Sequence, residues 1–330
     1  MHIILITPHG RRGTGGNHTT ALRWASLLRE LGHRVDIQAE WDCESARPEA
    51  PVFDVMVAIH AFRSASSIRR FKTRYPQRPL VLLLSGTDVY EFQHSDPEPT
   101  LRSMQLADAL VGLHWRVADD IPRRFRDKLQ VIVQSATPLS GPRRPAVRHF
   151  DALVVAHLRA VKDPLRAAHA GRLAPVDSAL RVLHLGQVLE PTLAEAARAE
   201  MQSNPRYRWL GGRTRGEVRR RMRHASLLVI SSLDEGGANV VSEAIVAGLP
   251  ILASDIPGNR GLLGDAHPGY FPVGDEQALA ALLLRAEREP CFLEDLQRST
   301  DELRAQFSPE SERDAWASLL ERLSEQRCGS

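Results

Sequence analysis

The strongest constraint on this chain is a rhythm. Short apolar runs alternate with amphipathic helical stretches from the first residue onward, the pattern of parallel βαβ units whose helices cover both faces of a sheet. Strands are expected at residues 2–7, 34–38, 53–59, 79–84, 109–113 and 130–133. The segment QSATPLSGPRRPAVRHF then breaks the periodicity with three prolines, a glycine and two serines, about the length of an interdomain linker. A second series follows, with strands at 152–156, 180–185, 206–210, 227–230 and 250–253. At 330 residues the chain exceeds the size at which one core keeps growing. The expected fold class is therefore α/β, two doubly wound Rossmann-like domains facing a central cleft.

The domain reading is an N-terminal Rossmann-like domain at 1–140, a C-terminal Rossmann-like domain at 148–307, and a terminal helix at 308–330. Pro309 near the helix start, Ser308 as N-cap, and Ala315, Trp316, Leu319, Leu320 and Leu323 at helical spacing give that helix an apolar stripe. In two-lobed folds such a helix often returns to the first domain.

Charge and cysteine content exclude several classes. The net charge is only +3, and basic residues sit beside acidic ones in most helical stretches, which argues against a nucleic-acid surface. Cys43, Cys291 and Cys328 are far apart and in no metal-ligand spacing, so a reduced, cytoplasmic setting and no metal are expected. The opening MHIILITPHG is too short an apolar run for a signal peptide, and no stretch approaches the roughly 20 apolar residues of a membrane span. Arginine is the background cation here, and Lys72, Lys128 and Lys162 are the lysines.

The most informative segment is SSLDEGGANVVSEAIVAGLPILASD, where a strand ends at Ile230, a glycine-containing loop follows, and a helix opens near Ala238 or Asn239. Unpaired N–H groups and a positive macrodipole at the helix start, reached past Gly236 and Gly237, make an anion site. Glu235 and Glu243 flank it, about 12 Å apart at helical rise. A glycosidase pair needs roughly 5 to 9.5 Å, so the two do not suit hydrolysis. They suit the two ends of a nucleotide-sugar, one at hexose hydroxyls and one at ribose. Asn239 reads equally as an N-cap or a ligand contact. In LVVAHLRAVKDPLRAAHA the first strand of the second half delivers His157, Arg159 and Lys162 to a loop before a helix, at the strand end where doubly wound folds bind ligands. Two cations there could neutralise a departing diphosphate without Mg²⁺.

HLRAVKDP followed by EGGANVVSEA resembles the retaining GT-B glycosyltransferases with the E-x7-E motif. The resemblance implies a GT-B fold with Lys162 on the donor diphosphate, Glu235 on the donor sugar and Glu243 on the ribose. The family's usual arginine falls at His157, and Ala156 stands where glycine is usual; Arg159 is the substitute cation we assign. HLRAVKDP, YRWLGG, EGGANVVSEA, ASDIPGNRGLLG and GYFPVGD, with N-terminal GNHTTALRWA, IHAFRSA and LSGTDVY, are similar to the selenosugar synthases of selenoneine biosynthesis. That similarity spans nearly the whole chain. It implies a UDP-sugar donor, UDP-N-acetylglucosamine or UDP-glucose, and selenophosphate as acceptor, giving a selenium-linked sugar with release of UDP and phosphate.

On the acceptor side, PHGRRGTGGNHTT carries Gly13, Gly15 and Gly16, with Asn17 or Thr19 to start the next helix, and reads either as an anion site or as a flexible connector. His60 and Arg63 follow one strand, and Ser85, Gly86, Thr87 and Asp88 another, at the same sheet edge. His60 reads equally as packed or catalytic, and Asp88 as a turn residue or a ligand. Arg11, Arg12 and Arg63 are cations for an acceptor phosphate. The assigned set is catalytic Arg159, Lys162, Glu235 and His60; donor-binding Gly16, His157, Gly211, Gly236, Gly237, Ala238, Asn239, Val240 and Glu243; and acceptor-binding Asn17, Thr20, Arg63, Thr87 and Asp88. The expected partners are these small substrates, with no cofactor, membrane or nucleic acid. The competing functions are transfer to another small acceptor, UDP-sugar epimerisation and, more remotely, nucleic-acid binding.

Overall fold

The computed structural model describes residues 1–8, 10, 15–42 and 52–328, with side chains as far as Glu325. Arg11, Arg12, Gly13 and Cys43 lie outside the described residues. The chain divides into two compact units, one of Met1–Gln134 with Gly236–Ala238 and the C-terminal helix, the other of Ser135–Glu235 with Asn239–Ser308.

The first unit holds a six-stranded parallel sheet in the order β2-β1-β3-β4-β5-β6. Its strands are β1 His2–Ile6, β2 Arg34–Gln38, β3 Val55–Ile59, β4 Leu80–Leu83, β5 Ala109–Gly112 and β6 Leu129–Val131. Every residue of β3, β4 and β5 is buried. Helices on both faces leave no polar side, so these strands read as continuous apolar runs. The helix Gly16–Glu30 starts one residue ahead of the expected Asn17. The C-terminal helix Pro309–Cys328 belongs to this unit, where Trp316, Leu319, Leu320 and Leu323 join the core around Trp24.

The second unit holds another six-stranded parallel sheet, in the order β12-β11-β10-β7-β8-β9. Its strands are β7 Phe150–Val155, β8 Leu180–Leu185, β9 Tyr207–Trp209, β10 Leu227–Ile230, β11 Ile251–Ser254 and β12 Tyr270–Phe271. This is the dinucleotide-fold order, in which the winding reverses between β7 and β10. Each strand expected from the sequence forms, with ends shifted by no more than two residues. The reading missed β12, because two residues between Gly269 and Pro272 carry no periodicity; pairing of Ala253 with Tyr270 creates the strand.

The break between units falls after Gln134, not at the expected 140. The linker arginine accounts for the difference. The Arg143 guanidinium donates to the carbonyls of Gly248 and Ala225, both at 2.7 Å, and to that of Ser226 at 3.2 Å. Burial lowers the pKa of Arg143 to about 10. From the helix Arg215–His224, Arg219 donates to the carbonyl of Thr137 at 2.8 Å and Arg223 to that of Pro142 at 3.0 Å. A segment without secondary structure has carbonyls to satisfy, and these arginines satisfy them.

Candidate active site

In the second unit the loops after β7 and β10 flank the reversal point of the sheet. After β7 a short turn at Ala160–Lys162 carries Lys162, and β10 runs through Ser231 and Ser232 to Glu235. The Lys162 ammonium donates to Oε1 of Glu235 at 2.7 Å. The glutamate is buried, at 7% exposed, and the lysine keeps 30% of its side chain accessible. Ser232 Oγ donates to that same Oε1 at 2.6 Å. Glu235 Oε2 has no hydrogen-bond partner among the described residues. The carboxylate is thus fixed through one oxygen and offers the other.

The next helix, Asn239–Ala247, places Asn239 and Val240 at its start and Glu243 one turn in. Glu243 pairs with Arg215 at 3.2 Å. Gly236, Gly237 and Ala238 group with the first unit. Gly237 has φ 131°, a backbone conformation open mainly to glycine.

His157, two residues beyond β7, accepts the backbone N–H of Gln187 on Nδ1 at 3.1 Å. This contact puts the proton of the neutral ring on Nε2. Burial, and then the neighbouring Lys162 ammonium, hold its pKa below the usual value, so the ring is uncharged near neutrality. Where the resembling family carries a cation, this chain presents a neutral hydrogen-bond donor. The Arg159 side chain is exposed and has no hydrogen bond or ion pair among the described residues. Gly211 follows β9, and its carbonyl accepts the N–H of Gly186 at 3.0 Å.

In the first unit the assigned residues fall into an exposed set and a buried set. His60, at the end of β3, has φ 79° and is 1% exposed. Its Nδ1 lies 2.6 Å from Oδ1 of Asp88, and its Nε2 lies 3.1 Å from Oγ1 of Thr87. A carboxylate on one ring nitrogen and a hydroxyl on the other hold the imidazole from both sides, and the positive φ is strain of the kind that gathers at functional sites.

Two acceptor assignments are corrected. Asp88 is fully buried and accepts the backbone N–H groups of Ala61 at 2.8 Å, Phe62 at 3.0 Å and Ser85 at 2.9 Å. It orients His60 and ties two loops together, so it has no face left for a ligand. Thr20 is 1% exposed; its hydroxyl donates to the carbonyl of Gly16 at 2.9 Å and accepts from Gln134 at 2.7 Å. Arg63 is exposed, Gly16 is exposed at the start of its helix, and Asn17 is half-buried beside it.

Sequence reasoning missed Ser231, Ser232, Arg215 and Gly258. Gly258, first turn of the helix Pro257–Leu263, lies against Glu235; a Cβ there would meet the Glu235 carbonyl oxygen at 2.0 Å. The doubled serine at the end of β10 was the available signal for Ser231 and Ser232, and no local pattern marks the other two. Among the described residues no cluster of three metal-ligating side chains occurs, and no helix is long and apolar enough to cross a membrane.

The chain is similar to known proteins both in sequence and in fold. Glycosyltransferase 1 domain-containing protein 1 of Xenopus tropicalis is 21% identical over 302 residues, covering 84% of this chain and 86% of that protein. The structure superposes on sucrose-phosphate synthase from Thermosynechococcus elongatus with TM-score 0.75 at 16% identity, covering 98% and 99% of the two chains. It superposes on Anabaena HepE, crystallised with UDP, with TM-score 0.78 at 15% identity, covering 98% and 100%. Two parallel-sheet α/β domains with such neighbours over nearly the whole chain make the fold GT-B. Residues 145–311 match the model of the family described as glycosyl transferases group 1. With that match spanning just over half of its 330 residues, the chain belongs to the group 1 glycosyltransferases.

Proposed function

We propose that this chain transfers a hexosyl group from a UDP-sugar, UDP-N-acetylglucosamine or UDP-glucose, to selenophosphate. The observation that carries the donor half is the Lys162–Glu235 pair at the reversal point of the second sheet, ahead of the helix Asn239–Ala247. In this reading Lys162, the N–H groups of that helix and the neutral His157 take the diphosphate, Oε2 of Glu235 accepts from sugar hydroxyls, and Glu243 meets the ribose. HepE, of the same fold, has been crystallised with UDP-glucose, which supports the donor class. The acceptor rests on the similarity to selenosugar synthases, and Asn17, Arg63 and Thr87 are the first-unit groups assigned to it.

Selenium attacks the anomeric carbon on the face from which UDP departs. A C–Se bond forms as the C–O bond to the diphosphate breaks and UDP leaves with the electron pair. Water then cleaves the Se–P bond, giving the selenosugar and phosphate. Stabilising the departing diphosphate by fixed charge does most of the catalytic work, and no metal is needed.

The full chain, incubated with each UDP-sugar with and without selenophosphate, is expected to release UDP and form a selenium-bearing sugar by mass spectrometry only when the acceptor is present, at a rate unchanged by EDTA. Epimerised UDP-sugar formed without acceptor would replace this reading with epimerisation, and acceptor-independent UDP release would end it. In the same assay Gly258→Ala is expected to lower turnover by at least about tenfold, because the added methyl displaces the Glu235 backbone. A rate equal to that of the unaltered chain would show that Glu235 need not keep its place.

A further inference from the structure

Two consecutive serines follow β10, and the fold gives their hydroxyls separate tasks. Ser231 Oγ donates to the carbonyl of Asp163 at 2.8 Å and lies 3.2 Å from that of Lys162. Ser232 Oγ donates to Oε1 of Glu235 at 2.6 Å. Both serines are buried, at 4% and 3% exposed. Asp163 has φ 39°, a left-handed conformation that costs a non-glycine residue energy and persists only when its surroundings hold it. Ser231 shares that hold with Arg166, whose backbone N–H donates to the same Asp163 carbonyl at 3.2 Å and whose guanidinium donates to the Asp163 carboxylate at 2.8 Å, at the end of the turn from which the Lys162 side chain departs.

The peptide of Ser232 is fixed from behind. Its carbonyl accepts from Ser254 Oγ at 2.6 Å, and Asn259 Nδ2 donates to the Ser254 carbonyl at 2.9 Å and lies 3.1 Å from the Ser254 hydroxyl. Ser254 and Asn259 are fully buried. A carboxyl torsion is soft and roughly two-fold, so a glutamate held through one oxygen by a single ammonium could still rotate. The second donor on the same oxygen removes that freedom.

We infer that Ser231 and Ser232 are positioning residues that set the two members of the charged pair separately, Ser231 through the Lys162 turn and Ser232 through the Glu235 carboxylate. This rests on the reading of Lys162 as the diphosphate ligand and Glu235 as the sugar ligand. Loosening the lysine turn weakens every UDP-bearing ligand. Freeing the carboxylate leaves UDP alone bound as before and costs only the step in which the sugar must be held.

The test uses the full chain with UDP for calorimetric binding and UDP-glucose with selenophosphate for turnover. Ser231→Ala is expected to weaken UDP about tenfold. Ser232→Ala is expected to keep UDP affinity within about twofold while kcat falls about ten- to a hundredfold, and Ser232→Thr, which restores a hydroxyl, to recover most of the rate. Equal losses of affinity and rate in both alanine variants, following a lowered melting temperature, would assign the serines a purely structural role and overturn the inference. Unchanged affinity and rate in both would also overturn it, leaving the donor reading intact. Absence of UDP binding by the unaltered chain would remove the donor reading and this inference together.

Discussion

Replacing Lys162 with alanine is expected to lower turnover of a UDP-sugar by on the order of a hundred- to a thousandfold, the usual cost of removing one preorganised group from a developing negative charge. The reason lies in what else could carry that charge. Burial, the larger of the two causes that hold His157 uncharged, persists in the variant, and Arg159 is exposed with no hydrogen bond or ion pair among the described residues to fix it. Lys162→Arg is expected to recover only part of the rate, because a planar fork cannot take the place of a point charge that donates to a single oxygen at 2.7 Å. Glu235→Ala should match the lysine variant in its effect on kcat while binding UDP nearly as well, since the carboxylate is assigned to the sugar. Both alanine variants should remain folded by circular dichroism. UDP-release rates equal to those of the unaltered chain, in folded protein, would remove both residues from the site.

The second large effect is on stability. Trp316 is fully buried, with its ring edge-on to Trp24 at 4.6 Å between centroids. Trp316→Ala removes one of the largest buried side chains of the first unit, at a cost of about 3–5 kcal/mol. For a domain of this size that lowers the first unit's thermal midpoint by roughly 10 °C. The Trp316 indole N–H has no hydrogen-bond partner among the described residues, whereas that of Trp24 donates to Glu312 at 2.7 Å. Trp316→Phe should therefore lose much less than Trp316→Ala, and Trp24→Phe should lose more than Trp316→Phe, because it also removes one hydrogen bond to the buried Glu312 carboxylate, which Arg23 continues to hold at 3.0 Å. Thermal melts of the three variants check the order. A Trp316→Phe loss as large as that of Trp316→Ala would mean that the indole contributes more than its packed area.

These two effects lie on either side of what sequence reading reaches. The strands, the two winding series and the apolar stripe at Trp316 were legible because they are periodic, and periodicity survives without knowledge of partners. The strand, glycine loop and helix start of EGGANVVSEA were legible for a similar reason: they are adjacent along the chain. The corrections came where a polar side chain had two futures. Asp88 follows a strand end, as a ligand-binding acid does, but it satisfies three backbone N–H groups from two loops. Thr20 was assigned to the acceptor, but its hydroxyl is taken up by the Gly16 carbonyl and by Gln134, 114 residues away. The end of the first unit was misplaced by six residues because Arg143 reaches carbonyls more than 80 residues distant.

The sequence by itself determined the class of fold and where its strands lie. Only the tertiary structure decided that Lys162 meets Glu235 across 73 positions, that two serines hold that pair in place, and that Asp88 faces inward. Secondary structure follows from short-range repetition, whereas the partner of a buried polar group is whichever donor or acceptor the packed sheets bring within about 3 Å, and nothing local in the chain records that.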